Sequence, residues 1–309
     1  MRVMSAGDGY KYLLRTVAAA DGDRSFSTPL TRYYAEAGTP PGRWLGSGVA
    51  ALGSGQLAVG DRVSEAQLQL LMGMGRDPIT GDPLGLAFPA YKSVSERLDA
   101  RIADLDSTMS PGAMGDAVAQ IQAEETERGT RRAVAGFDFT FSIPKSASAL
   151  WAVADAGTQA LIGEAHHTAV AEVVAFMERE VAATRTGATA GDGAVAQVDV
   201  TGLVATAFDH FDSRAGDPHL HTHGVISNKV QTALDGKWRS LDGRPMHAAV
   251  VALSELHEAV FADHMTRTFG VEWEARDRGR DRNPAWAISG VPEELVAEFS
   301  TRARHIDTE

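Results

Sequence analysis

Asp217-Pro-His-Leu-His-Thr-His-Gly-Val-Ile226 places a histidine at every second position. In a strand, that period sends His219, His221 and His223 to one face and Leu220, Thr222, Gly224 and Ile226 to the other. His210 precedes His221 by eleven residues, and the turn-forming segment Asp212-Ser-Arg-Ala-Gly-Asp217 folds it back against the row. The expected unit is an antiparallel strand pair carrying four clustered imidazoles. Imidazole suits several divalent transition ions, and a site with three neutral ligands keeps coordination positions open, as catalytic sites do. A lone histidine reads as packed or surface. Three in alternation with a fourth at hairpin distance read as a metal site, though spacing alone leaves open which three bind.

Working outward, Gly136-Phe-Asp-Phe-Thr-Phe-Ser142 also alternates strictly. A strand here puts Phe137, Phe139 and Phe141 in a core and Asp138, Thr140 and Ser142 on a polar face. Pro144 ends it, and Ser146 is expected to cap a helix through Leu150 and Trp151. A longer helix is expected from Thr158 to Arg185, its apolar stripe running from Leu161 through Val170 and Met177 to Val181. Strands follow at Val198–Phe211 and Leu220–Val230, then a hairpin at Asp235-Gly236 before Lys237-Trp238-Arg239. Helical spacing recurs at Ala66–Met72, Ser93–Leu105, Pro245–Phe269 and Pro292–Arg304, with a turn-rich join at Gly73–Gly85. Ser27–Gly55, rich in Gly, Pro and Thr but carrying Tyr33, Tyr34 and Trp44, reads as an ordered excursion. Strands mixed with long helices, without regular βαβ alternation, give an α+β fold with a partly antiparallel sheet.

The 309 residues can bury a full core, and 44% hydrophobic with 23% charged residues is ordinary globular composition. The absence of cysteine excludes disulfides, thiolate nucleophiles and cysteine-held zinc. The net charge of −12 argues against a uniform basic coat and confines any nucleic-acid contact to a local groove. No apolar run is long enough for a membrane span, and no secretory signal opens the chain, so the expectation is a cytoplasmic protein without a membrane partner. Trp238 reads as core.

The histidine segments, His210-Phe-Asp-Ser-Arg214 and Pro218-His-Leu-His-Thr-His223, resemble the pattern of the TrwC/TraI type of conjugative relaxase, the MobF family of the HUH endonuclease superfamily. Asp138-Phe-Thr-Phe-Ser-Ile-Pro-Lys-Ser146, Gly42-Arg-Trp-Leu-Gly-Ser-Gly48, Gly236-Lys-Trp238 and Gly290-Val-Pro-Glu293 match other family elements in order. The resemblance implies a single relaxase domain over residues 1–309, with residues 57–133 matching weakly and read as a helical insertion. It also implies a central five-stranded antiparallel sheet flanked by helices, circularly permuted relative to rolling-circle replication proteins. No Walker-type phosphate loop occurs, so the helicase that relatives carry is not expected on this chain.

The implied activity is nicking of one DNA strand at an origin of transfer, by a tyrosine that forms a 5′-phosphotyrosine link and frees a 3′-hydroxyl, and rejoining by reversal. The implied metal ligands are His210, His221 and His223, with His219 outside the set. The implied ion is divalent, Mg or Mn first, with Zn, Ni or Co as alternatives. In Ser5-Ala-Gly-Asp-Gly-Tyr-Lys-Tyr-Leu-Leu14 the small-residue lead-in favours Tyr12 over Tyr10 as nucleophile, with Leu13 where relatives often carry another tyrosine. Tyr33 and Tyr34 resemble a second tyrosine pair tied to a second strand transfer. Asp138 is implied to orient a ligand or accept the nucleophile's proton. Implied partners are single-stranded or hairpin origin DNA, with Lys145 and Arg214 as candidate contacts to its phosphates and Trp44 as a candidate for base stacking, and a coupling protein and an accessory DNA-binding protein. A water-activating metal phosphodiesterase and a non-catalytic hairpin- or single-strand-binding module are the competing readings.

Overall fold

A computed structural model describes residues 1–14, 39–187, 195–213, 215–277 and 284–301. Five antiparallel strands form the central sheet in the order β1 (Arg2–Ser5), β3 (Val134–Ser142), β7 (Pro218–Ser227), β6 (Ala205–Asp212), β2 (Arg43–Leu45). The fold is α+β, as expected. The helices are α1 (Glu65–Leu68), α2 (Val94–Ala103), α3 (Pro111–Arg128), α4 (Lys145–Val153), α5 (Ala156–Glu180), α6 (Gly243–Ala248), α7 (Val250–Phe269) and α8 (Glu293–Glu298). Three two-stranded ribbons lie outside the sheet: β4 (Ala183–Thr186) with β5 (Ala196–Asp199), β8 (Lys229–Gln231) with β9 (Trp238–Ser240), and β10 (Trp273–Arg276) with β11 (Ala285–Ile288).

Each sheet face has its own core, because the strands alternate. Phe137, Phe139, Phe141, Ala205, Ala207 and Ile226 pack against Val170, Val173 and Met177 of α5 and Leu253 of α7. Met4, Val225, Val204 and Phe208 on the opposite face pack against Tyr10, Leu13, Trp44, Leu68, Leu71 and Met72. Much of the weakly matching region is therefore core: α1, closed by a capping box between Ser64 and Gln67, widens into a π turn at Gln69–Met74 that buries Leu71 and Met72. The α2–α3 hairpin contributes little to that core. Its staple is Glu125, 1% exposed, which accepts from Arg97 at 2.5 Å and Arg101 at 3.1 Å.

Several expected boundaries move, each for a local reason. Ser146 is not a cap: Pro144 takes that position, and the Ser146 hydroxyl accepts from the Ile288 amide at 2.9 Å, tying α4 to β11. The long helix starts earlier, where the Asp155 carboxylate accepts from the Gly157 and Thr158 amides, and it stops at Glu180. Thr184 and Thr186 beyond it are β-branched and pair in β4 instead. The expected strand Val198–Phe211 breaks at Thr201-Gly202, where Gly202 lies so close to Ser47 and Gly48 that a Cβ would stand 2.6 Å from the Gly48 nitrogen. Leu220–Val230 divides into β7 and β8 around Asn228, and Pro245–Phe269 into α6 and α7 at Ala249. Helix α8 is shorter than expected, and residues 302–304 lie outside the described residues. No helix among the described residues is long and apolar enough to cross a membrane.

Candidate metal and nucleophile site

Pairing of β6 with β7 sets His210 directly opposite His221, and the alternation of β7 puts His223 on the same face. One potential ligand nitrogen from each of His210, His221 and His223 lies within 4.8 Å of the others. His219 lies tilted against His221 at a ring separation of 4.8 Å but is not part of that group.

The hydrogen bonds of these rings decide which nitrogen is available. His221 Nδ1 donates to the His219 carbonyl at 2.8 Å, and His223 Nδ1 donates to the Asp138 carboxylate at 2.9 Å. Each bond fixes the tautomer that leaves an Nε2 lone pair, the arrangement in which metal-binding histidines are held by a carboxylate or carbonyl behind them. His210 Nε2 is buried with no partner among the described residues. An unsatisfied buried nitrogen costs free energy, and a cation bound by all three rings would satisfy it. Burial pushes His210 down to about 4, helped by the neighbouring imidazoles of His223 and His221, and burial also lowers His221. Near neutral pH both are uncharged, the form that binds metal. The residues present fit a divalent cation.

Tyr12 arrives from a 3-10 turn, Asp8–Leu14, that follows edge strand β1. Its hydroxyl donates to Asp138 Oδ2 at 2.5 Å, and its ring meets His223 edge-on at 6.1 Å between centroids. Asp138 thus links the phenol to the histidine row. Burial, then the Asp138 charge and hydrogen bond, push the Tyr12 phenol above its usual range, while the Arg2 charge pulls it back. Tyr10, two residues away, is 2% exposed and packed in the core with Leu13 and Trp44. Of the two tyrosines, only Tyr12 is bonded to Asp138 among the described residues.

Trp44 is also corrected. It is fully buried, so its ring cannot stack on a base. Trp238 packs half-buried against the same core. Lys145 donates from Nζ to the Pro218 carbonyl at 3.0 Å, pinning the start of α4 to the start of β7; burial lowers its pKa, opposed by the charge of Asp217. An ammonium has three donors, so a phosphate contact stays open to it. Tyr33, Tyr34 and Arg214 lie outside the described residues.

A network behind the site was not anticipated. The Thr222 hydroxyl, between His221 and His223 but facing the helices, donates to Asp209 Oδ1 at 2.5 Å and contacts His166 Nε2 at 2.9 Å. Asp209 also accepts from Arg43 at 2.5 Å and meets His167 at 2.9 Å, and His166 Nδ1 lies 3.1 Å from His257 Nε2. Burial opposes ionisation of Asp209, but His167 and Arg43 outweigh it and hold the carboxyl below its usual range. Alternation marks Asp209 and Thr222 as facing away from the ligands, which was the available signal.

The model of the TrwC relaxase family matches residues 6–309. Multifunctional conjugation protein TraI of Escherichia coli (strain K12) is 30% identical over 187 residues, 58% of this chain and 10% of that protein. A second Escherichia coli TraI is 32% identical over 182 residues, 55% of the chain and 9% of that protein. The chain therefore spans about a tenth of the length of the curated relatives it matches. In fold it is similar to metal-bound conjugative relaxase TrwC in complex with oriT DNA, with a TM-score of 0.62 and 23% identity over 99% of this chain and 81% of that one. It is also similar to TrwC complexed with a 27-mer DNA comprising the recognition hairpin and the cleavage site, with a TM-score of 0.59 and 22% identity over 99% of this chain and 80% of that one.

Proposed function

The chain belongs to the TrwC relaxase family, and from that premise we propose that it nicks one strand of an origin of transfer with Tyr12 as nucleophile and rejoins it by the reverse step. The observation that carries this reading is the shared carboxylate: Asp138 accepts the Tyr12 hydroxyl at 2.5 Å and holds His223 at 2.9 Å. The proposed nucleophile, proton acceptor and metal row are therefore linked through one side chain.

His210, His221 and His223 would hold the cation. It would polarise a non-bridging phosphate oxygen and offset the negative charge that builds on the phosphoryl oxygens. The chain's own groups do the rest. Tyr12 is protonated at rest, so its proton passes to Asp138 as its oxygen attacks phosphorus. The P–O3′ bond breaks, the departing O3′ takes up one proton while Asp138 gives one back to solvent, and the products are a 5′-phosphotyrosine and a strand with a free 3′-hydroxyl. Attack by that hydroxyl on the phosphotyrosine returns the proton to Tyr12 and reseals the strand, because a phenolate is a moderately good leaving group.

Mg or Mn is the ion expected first, with Zn, Ni or Co as alternatives, and origin DNA in single-stranded or hairpin form is the substrate. A coupling protein and an accessory DNA-binding protein in the cytoplasm complete the expected partners. TrwC solved in complex with oriT DNA supports the choice of DNA.

The test uses single-stranded oligonucleotides tiling the DNA that adjoins the gene, labelled at either end and incubated with Mg or Mn. We expect a denaturation-resistant protein adduct on the 5′ end of the downstream fragment with wild type and with Tyr10→Phe, and none with Tyr12→Phe. Cutting without adduct, unaffected by Tyr12→Phe, would instead support the water-activating phosphodiesterase.

A further inference from the structure

Edge strand β1 carries a second charged group to the nucleophile. Arg2 is the register partner of Asp138, so both point to the face that bears Tyr12 and the histidines. The sheet order puts β1 on the opposite side of β3 from β7, so Arg2 approaches Tyr12 from the side away from the metal row. Its guanidinium lies 5.6 Å from the centre of the Tyr12 ring, within cation–π range.

Asp138 does not neutralise Arg2; its oxygens are taken by Tyr12 and His223. The other basic groups nearby are committed elsewhere, Lys11 to Asp8 at 2.8 Å and Arg131 to the Tyr91 ring at 4.6 Å. Arg2 and Arg132 are exposed, and among the described residues no carboxylate pairs with either. Together with Ser5, Gly9, Tyr12 and Asp138 they line a pocket of about 120 Å³. The pocket is well below the ~300–1,000 Å³ of sites for drug-sized molecules, and its two cationic side chains favour a small anionic group such as a phosphate. A guanidinium fork is the side chain best matched to phosphate oxygens.

We infer that Arg2 and Arg132 together clamp one non-scissile phosphate of the DNA strand, on the side of Tyr12 opposite the histidines. This rests on the relaxase reading. The clamp fixes where the strand lies relative to the Tyr12 oxygen, while the scissile phosphate sits between Tyr12 and the metal row. Arg2 and Arg132 are thus binding residues that set the attack register.

The experiment measures binding without cleavage. Fluorescence anisotropy with the best-binding tiled oligonucleotide, in the presence of a chelator, gives the slope of log Kd against log salt for wild type, Arg2→Gln, Arg132→Gln and the double variant. One phosphate on single-stranded DNA contributes a slope of ~0.7. We expect each single variant to weaken binding and flatten the slope, and the double variant to lose about 0.7 in all, because both groups act on one phosphate. An unchanged slope in the double variant, or a loss of about 1.4 with each arginine acting independently, overturns the clamp. A merely structural role would shift the thermal midpoint and leave the salt slope alone. Adduct formation by wild type, scored separately with metal present, reports on the relaxase reading, so the two ideas fail by different readouts.

Discussion

Both faces of the β6–β7 pair involve clustered histidines, and they use them in opposite ways. On one face His210, His221 and His223 present nitrogens toward a shared point, and among the described residues His210 Nε2 has no hydrogen-bond partner. On the other, Asp209 and Thr222 meet His166, His167, His257 and Arg43 in a closed network. The first face keeps hydrogen-bonding capacity unspent and so can take a ligand. The second satisfies its polar groups and so holds the strands against α5 and α7. Neighbouring residues on one strand are thereby divided between chemistry and scaffold.

The largest expected effect that would test this division comes from removing a ligand on the open face. His221→Ala should lower metal affinity well beyond ~100-fold and abolish adduct formation, while the denaturation midpoint of the metal-free protein stays within error, as read by isothermal titration and urea unfolding. Retained metal binding would mean that the open face is not the site. The reciprocal change is Arg43→Met, which leaves Asp209 with one fewer counter-charge. Arg43 is partly exposed, so the expected loss is about 3 kcal/mol or less, the lower end of what breaking a buried pair costs. Metal affinity should hold.

Asp138 sharpens the comparison, because it supports a ligand from the open face. Asp138→Asn should cost about 10–100-fold in metal affinity and slow adduct formation further, since an amide also fails to take the Tyr12 proton.

The smallest effect is a pH dependence. Burial lowers His257 to about 4, so the folded state keeps it neutral where the unfolded chain, with an ordinary value near ~6.5, binds a proton. Its contribution is complete above that ordinary value and is lost as pH falls from about 6.5 toward about 4. His166, lowered the same way by burial, adds to the slope. Excess metal should not remove the part due to these two, because neither lies on the open face; its complete removal, measured by urea unfolding across pH, would show that the faces are coupled.

What was legible in the chain follows from periodicity. Alternation in Gly136–Ser142 and Asp217–Ile226 named the strands and the residues on each face, and the eleven-residue separation of His210 from His221 gave the hairpin. Illegible parts had no period to read. Strand β1 has four residues, too few for alternation to show, and α3 was missed because its small and polar residues leave only Ile121 and Glu125 buried. Trp44 and Tyr10 were candidates from the motif segments that carry them, and only packing sent them to the core.

The sequence by itself determined the ligand row, since a strand's two-residue repeat is a local property of the backbone. Tertiary structure alone decided that Tyr12 and not Tyr10 reaches Asp138, 126 positions along the chain. It also set Arg2 beside Tyr12 and closed the Asp209 network. Those contacts depend on which strands pair and in what register, and the free energy of that choice is spread over three buried clusters that no local pattern encodes.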